Sequence, residues 1–117
     1  MSIHEAVTAA LSAVLANTWL GELPVDPTFP AIVFDIETTP EDQWVQGGGY
    51  DQHTVGLVIY AKTQTQIHTL KPQVISALQS IAGYMADGQS GDADYEDDSS
   101  LYGWYMNHVI RWRHDEG

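Results

Sequence analysis

Ala31-Ile32-Val33-Phe34-Asp35-Ile36-Glu37 and Gln52-His53-Thr54-Val55-Gly56-Leu57-Val58-Ile59-Tyr60-Ala61-Lys62 decide the fold class. Both stretches alternate. Ile32, Phe34 and Ile36 share one face of the first, and Val33, Asp35 and Glu37 share the other. A period of two is the signature of a half-buried strand. In the second stretch Val55, Leu57, Ile59 and Ala61 form one face. Val58 and Tyr60 on its other face predict a central strand covered on both sides. Between the two, Thr38 to Asp51 contains Pro40, a Glu-Asp pair and Gly47-Gly48-Gly49. This reads as a long loop or hairpin tip with room for a further short strand.

Outward from these strands, helices are expected on both sides. Ser2 with Glu5 fits a capping box. Ile3, Ala6, Val7, Ala10, Leu11, Val14 and Leu15 then recur at helical spacing, and Asn17 and Gly21 are plausible stops. Trp19 is expected to cover the end of this helix. Pro24, Pro27 and Pro30 make the connector extended. A second helix is expected over Thr69 to Met85, with Leu70, Val74, Leu78, Ile81 and Met85 (with Ile75 and Ala82) as its stripe and Pro72 in its first turn. Ala86 to Ser100 reads as an acidic loop. Leu101 to Arg113 reads as a closing strand, with Tyr102, Trp104, Met106, His108, Ile110 and Trp112 on one face. The order is α-β-β-α-β. It predicts an α+β fold, a small antiparallel or mixed sheet with two helices packed on it, as a single domain over residues 1–117.

Composition narrows function. Hydrophobic residues are 44% and charged residues 17% of the 117, a globular balance. Four Lys+Arg against 16 Asp+Glu give a formal charge of -12. Phosphate gripping and anionic membranes both need clustered cations, so neither is expected. No apolar run approaches the ~20 residues of a bilayer span, and Met1-Ser2-Ile3-His4-Glu5 lacks the basic start of a signal peptide. There is no Cys, which excludes disulfides, thiolate metal sites and Cys nucleophiles.

Catalytic patterns are weak. His4, His53, His68, His108 and His114 lie on different elements, with no pair at i, i+4 of a helix. Gly47-Gly48-Gly49 lacks the Lys-Ser/Thr and the helix of a phosphate cradle. Gly88-Gln89-Ser90-Gly91 is one residue short of a nucleophile elbow. Asp92, Asp94 and Glu96 open like a calcium loop, but Asp97 and Gly103 stand where Gly and Glu belong. No enzyme activity, cofactor or metal is expected. Trp44 in the loop is either a partner anchor or a cover for the sheet edge. Arg111 and Arg113 either pair internally, with Asp35 or Glu37 on a neighbouring strand, or reach another subunit.

Charge is uneven. Residues 1–61 hold eight acids and no Lys or Arg, while residues 62–117 hold eight acids and all four bases. Beyond solubility, this suits a mimic of DNA that occupies a nucleic-acid-binding enzyme, or a passage that DNA slides through.

The pattern resembles the tail terminator (tail completion) proteins of long-tailed bacteriophages. The resemblance lies in the helix from Glu5 to Leu15, the strand opening Phe29-Pro30-Ala31-Ile32-Val33-Phe34, and the strand ending Val58-Ile59-Tyr60-Ala61-Lys62-Thr63. Helix positions Val74, Leu78 and Ile81, the acidic Tyr95-Glu96-Asp97-Asp98, Leu101-Tyr102-Gly103 and Val109-Ile110-Arg111-Trp112 complete it. The resemblance implies a virion protein without catalytic residues. It implies a hexameric ring that caps the head-proximal end of the tail tube, ends polymerisation and offers a head–tail joining surface. Partners would be the tail tube protein and a head–neck connector, with DNA passing through unbound. The place would be the tail or neck of a virion assembled in the host cytoplasm. Other neck connectors share such folds. The loop Thr38 to Gln52 would reach a neighbour or the tube. Trp44, Gly47, Gly48, Gly49, Arg111 and Arg113 are the candidate contacts.

Overall fold

The computed structural model describes residues 2–40, 50–93 and 100–113, with the side chains of Pro40, Tyr50 and Arg113 left aside. Trp44 and Gly47, Gly48 and Gly49 lie outside the described residues. The elements are α1 (Ile3–Val14), β1 (Thr18–Leu20), β2 (Ala31–Pro40), β3 (Tyr50–Ala61), α2 (Gln64–Gln79), β4 (Tyr84–Ala93) and β5 (Tyr102–Arg113). The sheet order is β1-β2-β3-β5-β4. β1 runs parallel to β2, and the other pairs are antiparallel. The fold is α+β with a mixed sheet, as the periodicity predicts.

Ser2 starts α1 through the expected capping box: its Oγ accepts from the Glu5 N–H at 3.1 Å and Glu5 Oε1 accepts from the Ser2 N–H at 3.2 Å. The helix stops at Val14 because side chains there compete for the backbone. Thr18 Oγ1 donates to the Leu15 carbonyl at 2.6 Å. Asn17 Nδ2 donates to the carbonyls of Thr28 and Pro30 at 2.6 and 3.0 Å, pinning the proline connector to the helix end.

Three expectations are corrected. The second helix starts five residues early. Thr63 caps it by accepting from the Gln66 N–H at 3.2 Å, and Ile67 adds a buried turn before Leu70. Pro72 therefore sits inside α2, not in its first turn. It is exposed, as is His68, so the carbonyl it leaves without an N–H lies on the solvent side. The helix ends at Gln79 rather than Met85, where a turn leads to Gly83 at φ 94°. Of the expected acidic loop, residues 86–93 belong to strand β4. Its polarity is that of an exposed edge, and two register shifts against β5, at Tyr84/Ala86 and Asp87/Ser90, erase its alternation. Trp19 does not cover the helix. It lies in β1 opposite Val33, on the sheet face away from α1 and α2.

Both helices pack on one sheet face. Val7 and Leu11 of α1 and Val74 and Leu78 of α2 join Ile32, Phe34, Val55, Leu57, Ile59 and Ile110 in one buried cluster. β3 is central, as predicted, but covered on one side only: Thr54, Val58 and Tyr60 are half-buried on the other.

Candidate assembly surface

The register lays a continuous belt across the uncovered face. Trp19 of β1 faces Val33 of β2, which faces Val58 of β3, which faces Tyr105 of β5, which faces Gly91 of β4. Five strands at ~4.8 Å spacing make this belt about 19 Å long. Glycines let the rings lie flat. A Cβ on Gly91 would meet Tyr105 ring atoms at 3.1 to 3.4 Å, and one on Gly103 would meet the Tyr60 ring at 3.1 Å. Each tyrosine thus roofs a glycine on the next strand. Trp19 is 40% exposed, and its Nε1 donates to Asn17 Oδ1 at 2.6 Å. The indole's polar atom is thereby satisfied internally, and the ring stands as a fixed apolar surface.

Asp35 and Glu37 are exposed along one side of the belt. They are two residues apart on one strand, hence ~6.8 Å apart along it and on the same face. Their row neighbours are Gly56 with Asn107, and Thr54 with Val109. Val33, Val58 and Tyr105 of the belt, with Tyr60 and the two carboxylates, line a groove of about 550 Å³. Among the described residues only these two acids extend along that side, which is short for a face that imitates a run of phosphates. Eight of the sixteen acids lie outside the described residues.

Arg111 is exposed and sits opposite Gln52. β3 stands between β5 and the strand carrying Asp35 and Glu37, so those carboxylates are not on its neighbouring strand. For Arg113 only the backbone is described, opposite Tyr50.

Two histidines converge in a way that sequence spacing does not reveal. His108 lies opposite Val55, and His53 opposite Ile110, so both are on the helix-covered face of adjacent strands. His108 is 1% exposed; its Nδ1 lies 2.9 Å from the Tyr84 hydroxyl, and its Nε2 is buried with no hydrogen-bond partner among the described residues. His53 Nδ1 lies 2.9 Å from Thr38 Oγ1. Burial holds both imidazoles below the ordinary histidine range, against a weaker upward pull from Asp87 on His108 and from Asp51 on His53. They are neutral core residues. Among the described residues no three His, Asp or Glu side chains are grouped to hold a metal. Trp104 and Trp112 pack half-buried against the core, and Lys71 Nζ stands 3.6 Å over the Trp104 ring. Among the described residues no helix is long and apolar enough to cross a membrane.

Comparison with known proteins gives one kind of likeness. No family model matches, and no curated protein matches. Among solved structures, a chain in the virion of a native gene transfer agent (GTA) particle has the same fold, with a TM-score of 0.54 over 94% of this chain and 93% of that one. Identity is 12%, so the likeness is one of fold.

Proposed function

We propose that this chain is a structural virion protein of the tail terminator kind: a ring that closes the head-proximal end of a tail tube and offers the surface for head joining. One observation carries the reading. The chain matches, over nearly the full length of both, the fold of a chain that is part of a virion. The tail-terminator resemblance read from the residues points the same way and supplies the finer role. The physics is compatible, because a subunit charged at -12 repels phosphates and suits a passage for DNA.

The test is native mass by light scattering from micromolar to millimolar protein, with negative-stain images, followed by addition of the chain to growing tail tubes. A species near six times 12.9 kDa that forms a ring with a central hole, and tubes that stop growing, are the expected results. A compact dimer with no effect on tube length overturns the reading.

A further inference from the structure

We infer that the contact between Tyr84 and His108 is an acid-released latch: protonation of His108 frees the first half of β4, residues 84–89, from the sheet while β2 and β3 stay paired. This stands apart from the ring reading and concerns one edge of the subunit. It starts from how β4 is held. β4 lies at the sheet edge, beside β5. Met85 to Ser90 are exposed, and Tyr84 is the one apolar side chain of β4 packed against the buried cluster. Register shifts at Tyr84/Ala86 and Asp87/Ser90 interrupt the ladder on both sides of the Asp87–His108 row. A strand so exposed and so interrupted opens at lower cost than the centre of the sheet. Its side-chain fastening is the Tyr84 ring, whose centroid lies 5.8 Å from that of His108 and whose hydroxyl lies 2.9 Å from His108 Nδ1.

The fastening needs a neutral imidazole. His108 is buried, and its Nε2 has no hydrogen-bond partner among the described residues. A neutral ring meets Tyr84 through one nitrogen and leaves the other bare. An imidazolium carries hydrogen on both nitrogens. It would set a charge in the core with one N–H unaccepted, which is costly. Opened to water, the same ring takes the proton freely. Burial accordingly holds the closed His108 below the ordinary histidine range. The open strand therefore binds the proton more tightly than the closed one, and acid favours opening.

The surroundings set where a charged ring goes. A cavity of about 80 Å³ between α2 and β4 has His108, Lys71 and Asp87 in its wall. Lys71 of α2 brings a like charge. Asp87 of β4, the row partner of His108, attracts the imidazolium. Asp87 is exposed, so a charged ring meets this carboxylate best at the surface. On β3 the row partner is Val55, and neutral His53 lies two positions along, opposite Ile110. Met106 and Ile110, the same-face neighbours on β5, are apolar. Burial pushes the Tyr84 phenol up, so it stays un-ionised throughout.

The experiment measures amide hydrogen exchange of the full chain by NMR from pH 7.5 to 5.5, as protection factors, for wild type, His108→Gln, Tyr84→Phe and His53→Gln. The reporters are the Arg111 amide, bonded to the Gly83 carbonyl at 2.8 Å, and the amides that join the rows from Tyr84 to Asp87 to β5. The references are the amides that join β2 to β3. The reporters are expected to be less protected than the references at every pH. Their protection should fall roughly tenfold from pH 7.5 to 5.5, as for a histidine that titrates near 6.5 once open. His108→Gln should flatten that fall, and His53→Gln should leave it in place. Tyr84→Phe should lower reporter protection at pH 7.5 by roughly fivefold, the worth of one hydrogen bond. Reporter protection that ignores pH, or that equals the references throughout, overturns the latch. So does a fall that survives His108→Gln or vanishes in His53→Gln, or a Tyr84→Phe chain as protected as wild type at pH 7.5. Should His108→Gln fail to fold, the wild-type series and Tyr84→Phe still decide.

Discussion

Gly83 shows how one residue can be required by its backbone. Its φ is 94°, and a Cβ there would collide with the Arg111 carbonyl. The same residue's carbonyl accepts from the Arg111 N–H at 2.8 Å, so backing away breaks the start of the β4–β5 pairing. Gly83→Ala is expected to cost about 2 kcal/mol or more, read from urea unfolding. His108 carries a pH dependence. Its imidazole is held neutral by burial, and so is that of His53. The folded pKa lies below the unfolded value of about 6.5, so the unfolded chain takes up protons first as pH falls. The stabilising contribution is full above pH ~6.5 and is lost as pH drops through that value toward the folded one. Urea midpoints from pH 8 to 5 should fall, and His108→Gln should flatten the slope. A slope unchanged by that substitution would assign the effect elsewhere.

At the scale of elements, caps decide where the helices begin. Ser2→Ala removes the side-chain acceptor of the Glu5 N–H from the first turn of α1 and keeps the backbone N–H that the Glu5 carboxylate accepts from. A cost of about 1 kcal/mol is expected, measured by thermal or urea unfolding. The capping box is legible because its residues are three apart. The start of α2 is less so: Thr63 and Gln66 cap it as well, yet Pro72 pulls the eye to a later beginning. β4 was hidden for a different reason. An edge strand needs no apolar face, and its two register shifts remove the period of two by which strands are recognised. β1 is only three residues long, too short to show any period.

At the scale of the whole molecule, shape and charge bear on the proposed ring. The Cα radius of gyration is 15.0 Å with extents of 50 × 25 × 23 Å. A compact chain of this length would have a radius near 13.4 Å, so the molecule is long. The length lies along the strands: rows from Arg111 to Arg113 continue past the last pairing of β4. Each copy carries -12, so formation of the proposed ring at low salt would be opposed by repulsion that salt screens. Added salt or magnesium is therefore expected to promote association, measured as native mass against ionic strength. Association that weakens steadily as salt rises would show that attraction, not repulsion, dominates.

The sequence by itself determined the α+β class, the inward faces of β2, β3 and β5, the cap of α1 and the acidic character. Each is a local matter: a side chain's face follows from its parity in a strand, and its charge from its type. Only the tertiary structure decided that α1 and α2 share one sheet face. That left Trp19, Val33, Val58 and Tyr105, distant in the chain, in one uncovered row. Strand order and register set this row, and they depend on which non-local pairs bury the most apolar surface together. The same pairing brought His53 and His108 into one core and separated Arg111 from Asp35. No spacing along the chain encodes those distances.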